Sequence, residues 1–245
     1  MGEDIDGMVD LKFGGSINKH TYVDGLSDVD TLITINKSEL SSLSPKEVLN
    51  YLKSRLEGNI KNLENIEVGN LAVTLNFSNK IQIQILPAIK HGEGFKIPKT
   101  TKNEWSNVIK PKKFAEKLTE VNKNLKGNLV PVIKLVKGII SKLPKDQQLK
   151  GYHVESIAIE AFKGYDPDPK TPKALLKQFF REAKDIVKKP IKDSTGQSMH
   201  VDGYLKSENS KERSDISYAL NRIYKKMENA DRIGSVSEWS KILGE

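Results

Sequence analysis

Two aspartates, Asp28 and Asp30, stand two residues apart in the segment Ser27-Asp28-Val29-Asp30. On an extended strand, residues i and i+2 face the same way, which brings both carboxylates to one face. Carboxylates that close repel each other, and a divalent cation is the usual relief. Mg²⁺ (or Mn²⁺) suits a site built from a few carboxylates and the phosphate oxygens of a substrate. Upstream the chain reads Phe13-Gly14-Gly15-Ser16. A Gly-Ser pair after a strand makes a tight turn whose backbone N–H groups, with the serine hydroxyl, can face an anion. A phosphate turn followed by a carboxylate pair is the least apparatus for metal-assisted nucleotidyl transfer. In it Asp28 and Asp30 hold the metal, and Gly15 and Ser16 hold phosphate. His20 lies in the same loop and either touches a triphosphate or sits on the surface.

These residues need strands behind them. Val9 to Phe13 alternates and runs into glycine, as a strand entering a turn does. Thr31 to Ile35 is apolar enough for a central strand. Ser44-Pro45-Lys46-Glu47 opens a helix, with Ser44 as cap, Pro45 at the first position and Glu47 closing a capping box. Val48, Leu49, Leu52 and Leu56 form its buried stripe. Strands are expected from Leu71 to Phe77 and from Ile81 to Leu86, joined by a turn at Ser78-Asn79. Beyond Pro98 helical periodicity takes over, over 111–123, 131–143, 152–162, 172–187, 210–229 and 237–243. The chain therefore reads as an α+β region over residues 1–105 followed by a helical region over 106–245.

Composition narrows the classes. There is no cysteine, which excludes disulfides, thiolate catalysis and cysteine-ligated zinc and suits a reducing cytoplasm. No apolar run approaches a membrane span, and the acidic N-terminus has no apolar core, so neither a membrane anchor nor a secretory signal is expected. The net charge of +8 attracts polyanions, nucleotides and nucleic acid among them, though lysines serving only solubility look the same. The four histidines have no metal-ligand spacing, and P-loop and hydrolase nucleophile motifs are absent.

Taken together, Gly15-Ser16, Thr21 five residues after the serine, and Ser27-Asp28-Val29-Asp30 resemble the signature of polymerase-β-like nucleotidyltransferases. Ile83-Gln84-Ile85-Leu86-Pro87-Ala88 looks like the strand that carries the third metal carboxylate of that superfamily, with Gln84 at the catalytic position. Val132 to Lys137 is similar to the helix whose basic residues hold the incoming triphosphate. That makes Lys137 the candidate ligand, the alternative being a solvated helix lysine. Lys150 to Glu155 is similar to the start of the next core helix, where Tyr152 either stacks on a base or packs in the core. Asp193 to Gln197 falls where a loop near the base pocket is expected. This order, with a helical C-terminal half, resembles the CD-NTases, the bacterial cyclic-oligonucleotide synthases of CBASS anti-phage defence.

The resemblance implies a polymerase-β-like core, a mixed sheet flanked by helices, with the helical lobe forming the other wall of a nucleotide cleft. It implies a metal-dependent synthesis of a cyclic di- or trinucleotide from nucleoside triphosphates, and a product-sensing effector encoded nearby. The family also has a long helix ahead of the Gly-Ser strand, where only about a dozen residues precede it here. The sharper departure is Gln84, whose amide offers a carbonyl oxygen but cannot take a proton near neutral pH. Either two carboxylates suffice, or Asp10 or Glu93 reaches in, or the enzyme is slow, or the glutamine is an engineered substitution. Two other readings stay open: a transferase making linear products on RNA, protein or a small molecule, and a non-catalytic binder of nucleotide or nucleic acid.

Overall fold

Alternation along two strands decides the architecture of the N-terminal half. In the computed structural model, which describes residues 9–13, 15–23, 29–35, 39–99, 102–166, 170–193 and 199–244, these are β2 (Val29–Ile35) and β5 (Gln82–His91). They pair in parallel from Val29↔Ile83 to Ile35↔Ile89. Ile33, Ile35, Ile83 and Ile85 turn to one face and pack with Val48, Leu49 and Leu52 of α2 (Pro45–Leu56). Leu32, Leu86 and Ala88 turn to the other face and pack with Ile97 and Ile109. Both faces of the strand pair are thus apolar along most of their length, as befits the buried centre of a sheet.

The remaining strands are β1 (Val9–Phe13), β3 (Leu63–Val68), β4 (Val73–Phe77) and β6 (Gly94–Lys96). The sheet runs β1-β2-β5-β4-β3, with β6 beside the far end of β5. Among the described strands only β2 and β5 are parallel; the other pairs are antiparallel. A parallel pair needs a long crossover, and α2, β3 and β4 supply it. At the start of α2 the Glu47 carboxylate accepts from Ser44 N at 2.8 Å and Ser44 Oγ at 2.6 Å, the expected cap.

Two strands, β3 and β6, escaped the sequence analysis, and a third is longer than expected. Asn65, Glu64 and Glu67 make β3 too polar to stand out, because it is an edge strand with only Ile66 buried. The strand expected to end at Leu86 continues through Pro87 to His91, since its second half pairs with β2 and β6. The turn after β4 falls at Ser78-Asn79, as expected. Lys80, with φ 65°, takes the left-handed position, and its N–H donates to Phe77 O at 2.9 Å.

The described residues fall into two compact units. One takes residues 9–19 and 29–112; the other takes 20–23 and the residues from 113 onward. The second is built from α3 (Pro111–Asn124), α4 (Leu129–Ile140), α5 (Gly151–Ala161), α6 (Pro172–Ile186), α7 (Lys211–Arg232) and α8 (Val236–Leu243). Val132, Ile133, Val136, Val154, Ile157, Phe179, Phe180, Leu220 and Met227 are fully enclosed at its centre. α4 stops at Ile140, short of the expected Leu143. Gln148 Nε2 takes the carbonyls of Ser141 and Leu143, and Pro144 bars continuation. No helix among the described residues is long and apolar enough to cross a membrane.

Arg213 holds the connection between α6 and α7. Its guanidinium is fully buried and donates to Asp202 Oδ2 at 2.7 Å and to the carbonyls of Val187, Ser207 and Lys206 at 3.0 Å each. Beside it, His153 Nδ1 meets the Tyr204 hydroxyl at 2.9 Å, while Nε2 lies 3.5 Å from Asp202 Oδ2 with no hydrogen bond. Burial pulls the His153 pKa down to about 4; Asp202 opposes the shift and Arg213 adds to it. Unfolded His153 takes up a proton near its ordinary value, about 6.5. The unfolded state therefore binds more protons between the two values. Stability should be complete above pH 6.5 and fall as pH drops toward 4. Urea denaturation at pH 7 and pH 5 should show this loss, and His153→Gln should flatten it.

Candidate active site

Asp30 is the second residue of β2, and the parallel register sets Gln84 of β5 directly beside it. The row continues across the sheet through Thr74 of β4 to Glu67 of β3. Residues opposite one another in a sheet share a face, so Asp30, Gln84, Thr74 and Glu67 form one polar row. Leu32 and Leu86 border it on one side. On the other lies a chain of amides: Gln82 Nε2 donates to Asn76 Oδ1 at 2.8 Å, and Asn76 Nδ2 to Glu67 Oε1 at 3.2 Å.

Glu67 is not a substitute for the missing carboxylate. It stands three strands from Asp30, about 14 Å away at the usual strand spacing, and its oxygen also accepts from Asn65 Nδ2 at 3.0 Å. The other two candidates are farther along their strands. Asp10 pairs with Thr34, four residues and about 13 Å from Asp30. Glu93 lies beyond His91, more than about 20 Å along β5 from Gln84, mostly exposed and 3.8 Å from Lys110.

The turn expected to hold phosphate meets this row at Gly15. It begins the single helical turn α1 (Gly15–Asn18) with φ 50°, a conformation that side chains disfavour. A Cβ placed there would fall 1.7 Å from Asp30 Oδ2 and 2.6 Å from Asp30 Cγ. The Asp30 carboxyl therefore fills the space that a side chain at position 15 would need. The turn and the carboxylate strand meet at a distance only glycine permits. Asp28 lies outside the described residues, as does the loop from Ser194 to Gln197. Among the described residues no group of three or more acidic, histidine or cysteine side chains is arranged to hold a metal.

The other expected site residues belong to the helical unit. His20 is exposed, with φ 58°. Tyr152 is half-buried; its ring packs 4.5 Å from that of Phe114, and its hydroxyl donates to Asp193 Oδ1 at 3.0 Å. Lys137 is not a solvated helix lysine. It is 8% exposed and donates to Thr21 O at 2.9 Å and Glu155 Oε1 at 3.0 Å. Lys134, on the next face of α4, is exposed. Sequence analysis assigned Glu155 no role. The available signal was an acid inside the apolar stripe Val154, Ile157, Ala158, Ala161.

Gly15→Ala should combine strain with collision. A left-handed backbone conformation at a non-glycine residue costs roughly 1–2 kcal/mol, and the Asp30 clash adds to it. Urea denaturation should show Gly15→Ala to be less stable, with part of the loss restored in Gly15→Ala/Asp30→Ala. Additive losses would mean that the two residues do not touch.

Residues 8–122 match the Second Messenger Oligonucleotide or Dinucleotide Synthetase domain. No curated protein matches the sequence. Among solved structures, CdnC of E. coli MS115-1 with ATP is similar at TM-score 0.74 and 15% identity, over 96% of this chain and 83% of that one. CdnC has also been solved in complex with HORMA-deltaN. Escherichia coli DncV in its 3'-deoxy GTP bound form gives 0.76 and 12%, over 97% and 69% of the two chains. The Bradyrhizobium diazoefficiens CD-NTase CdnG in complex with GTP gives 0.72 and 13%, over 99% and 84%. Residues 8–122 thus resemble a Second Messenger Oligonucleotide or Dinucleotide Synthetase domain, and the chain has the fold of CdnC, DncV and the CD-NTase CdnG.

Proposed function

We propose that the chain is a metal-dependent nucleotidyltransferase that joins nucleoside triphosphates into a cyclic di- or trinucleotide. The observation that carries this reading is the contact between the Gly15 turn and the Asp30 carboxyl, with Gln84 in register beside it. The donors present suit a small hard cation: carboxylate oxygens at Asp30, an amide oxygen at Gln84, and no side chain at position 15 to cover them. Asp28 and Asp30 would hold Mg²⁺ or Mn²⁺. The chemistry such an ion supplies is charge neutralisation at phosphoryl oxygens.

The chain's own groups do the rest. Backbone N–H groups at Gly15 and the Ser16 hydroxyl orient the triphosphate. A ribose hydroxyl attacks the α-phosphorus, the bond to the β-phosphate oxygen breaks, and pyrophosphate leaves. Gln84 Oε1 can accept a hydrogen bond from the attacking hydroxyl but not its proton, which must pass to an Asp30 oxygen or to water. Positioning and charge therefore dominate the rate. Tyr152 and His20 are carried as contacts for base and triphosphate on the family resemblance. The same resemblance supports a cytoplasmic role in anti-phage defence and a product-sensing effector.

Labelled ATP, GTP, CTP and UTP with Mg²⁺ or Mn²⁺ should yield a phosphatase-resistant product, and Asp28→Asn/Asp30→Asn should abolish it. A phosphatase-sensitive ladder would instead mean linear products. No turnover would favour a nucleotide binder, the reading that a neutral Gln84 specifically favours.

Gln84→Asp tests the departure itself. Restoring the acid should raise the rate, by the roughly 10²–10⁴-fold typical of a positioned acid–base group. It also sets two carboxylates side by side on adjacent strands, which is destabilising by up to about 1 kcal/mol. Its Tm should therefore be lower than wild type without metal and recover more on adding Mn²⁺. A Tm that ignores metal would show that no ion binds at this pair.

A further inference from the structure

Lys137, Glu155 and Thr21 form an enclosed polar cluster in the helical unit. Thr21 is 0% exposed, Glu155 1% and Lys137 8%. Lys137 Nζ donates to Thr21 O at 2.9 Å and to Glu155 Oε1 at 3.0 Å, and approaches Thr21 Oγ1 at 3.4 Å. The Thr21 hydroxyl donates in turn to Glu155 Oε1. The three protons of the ammonium are thus directed at Thr21 and Glu155, and the Glu155 carboxylate balances its charge.

A buried ion pair is a poor way to gain stability, because apolar residues of similar size usually do as well. The neighbours of Lys137 on α4, Val132, Ile133, Val136 and Ile140, are already an apolar core. What this pair does that apolar side chains cannot is grip one carbonyl and one hydroxyl of a residue far away in sequence. That residue follows the end of α1 by three positions and Ser16 by five. His20 just before it takes φ 58°, a left-handed conformation that persists in a non-glycine residue only where the surroundings impose it.

We infer that Lys137 and Glu155 are positioning residues whose object is Thr21, fixing the backbone of residues 20–23, and that Lys137 is not a triphosphate ligand. The effect on turnover rests on the nucleotidyltransferase reading; the grip on Thr21 does not. Two Thr21 variants separate it from packing. Thr21→Val keeps the volume and loses the hydroxyl; Thr21→Ser keeps the hydroxyl and loses a methyl.

Hydrogen–deuterium exchange over residues 20–23 reads the grip directly, with or without turnover. Thr21→Val, Glu155→Gln and the charge-free double variant Lys137→Met/Glu155→Gln should each exchange about tenfold faster there, the equivalent of one charge-assisted hydrogen bond. Thr21→Ser should stay close to wild type. Unchanged exchange in the first three, or Ser worse than Val, overturns the proposal. Equilibrium dialysis with ATP supplies the second arm. Lys137→Met and Glu155→Gln should alter ATP affinity to the same small extent, and where the wild type turns over, both should lower kcat more than they raise KM. A weakening of ATP binding by about tenfold or more confined to Lys137→Met would make Lys137 a phosphate ligand after all. Absence of turnover in the wild type would count against the enzymatic reading alone, since the exchange experiment decides the grip.

Discussion

The parallel pairing of β2 with β5 is the constraint on which the candidate site depends. Its register puts Asp30 beside Gln84, and the same register puts Ile33, Ile35, Ile83 and Ile85 on the face covered by α2. A slip of one residue would carry those isoleucines to the opposite face and the polar row into the core. The hydrophobic core therefore fixes the site, and no site residue has to hold the register itself. The contact between Gly15 and Asp30 follows from it, because only a strand held in that place brings a carboxyl against the turn.

The helical unit handles buried charge in two ways. Arg213 collects backbone carbonyls from a long connection and is balanced by Asp202, so one side chain orders a segment that has little regular structure of its own. Lys137 and Glu155 instead converge on a single residue. Both networks tie together residues distant in sequence, a role for which buried ionic groups suit better than apolar contacts because they are directional. His153 sits beside the first network in its neutral form, held there by burial.

Many of the lysines are paired, and the net charge of +8 is what remains once every acid is counted. Lys99, Lys110, Lys170, Lys173, Lys177, Lys184, Lys188, Lys206, Lys225 and Lys241 each lie within ion-pair distance of an acid. Exposed pairs of this kind contribute little to stability, on the order of 0–1 kcal/mol each. They do reduce the field that a polyanion would meet.

The sequence by itself determined the local elements and the order of the motifs. Helix periodicity located α2 and the C-terminal helices to within a few residues, and Ser44 with Glu47 marked the start of α2. The turn at Gly15-Ser16 and the strand that follows Asp28 were legible because turn and strand signals are local in sequence. The edge strand β3 was not legible, since its polar faces give no periodic signal. Tertiary structure alone decided that Glu67, Asp10 and Glu93 lie too far from Asp30 to replace the missing carboxylate, because strand order sets those distances. It alone turned Lys137 inward. On α4 a lysine at that position looks the same whether it faces solvent or a carboxylate. Which it faces depends on Glu155, eighteen residues on, and on Thr21, more than a hundred residues back, and no local pattern records such a meeting.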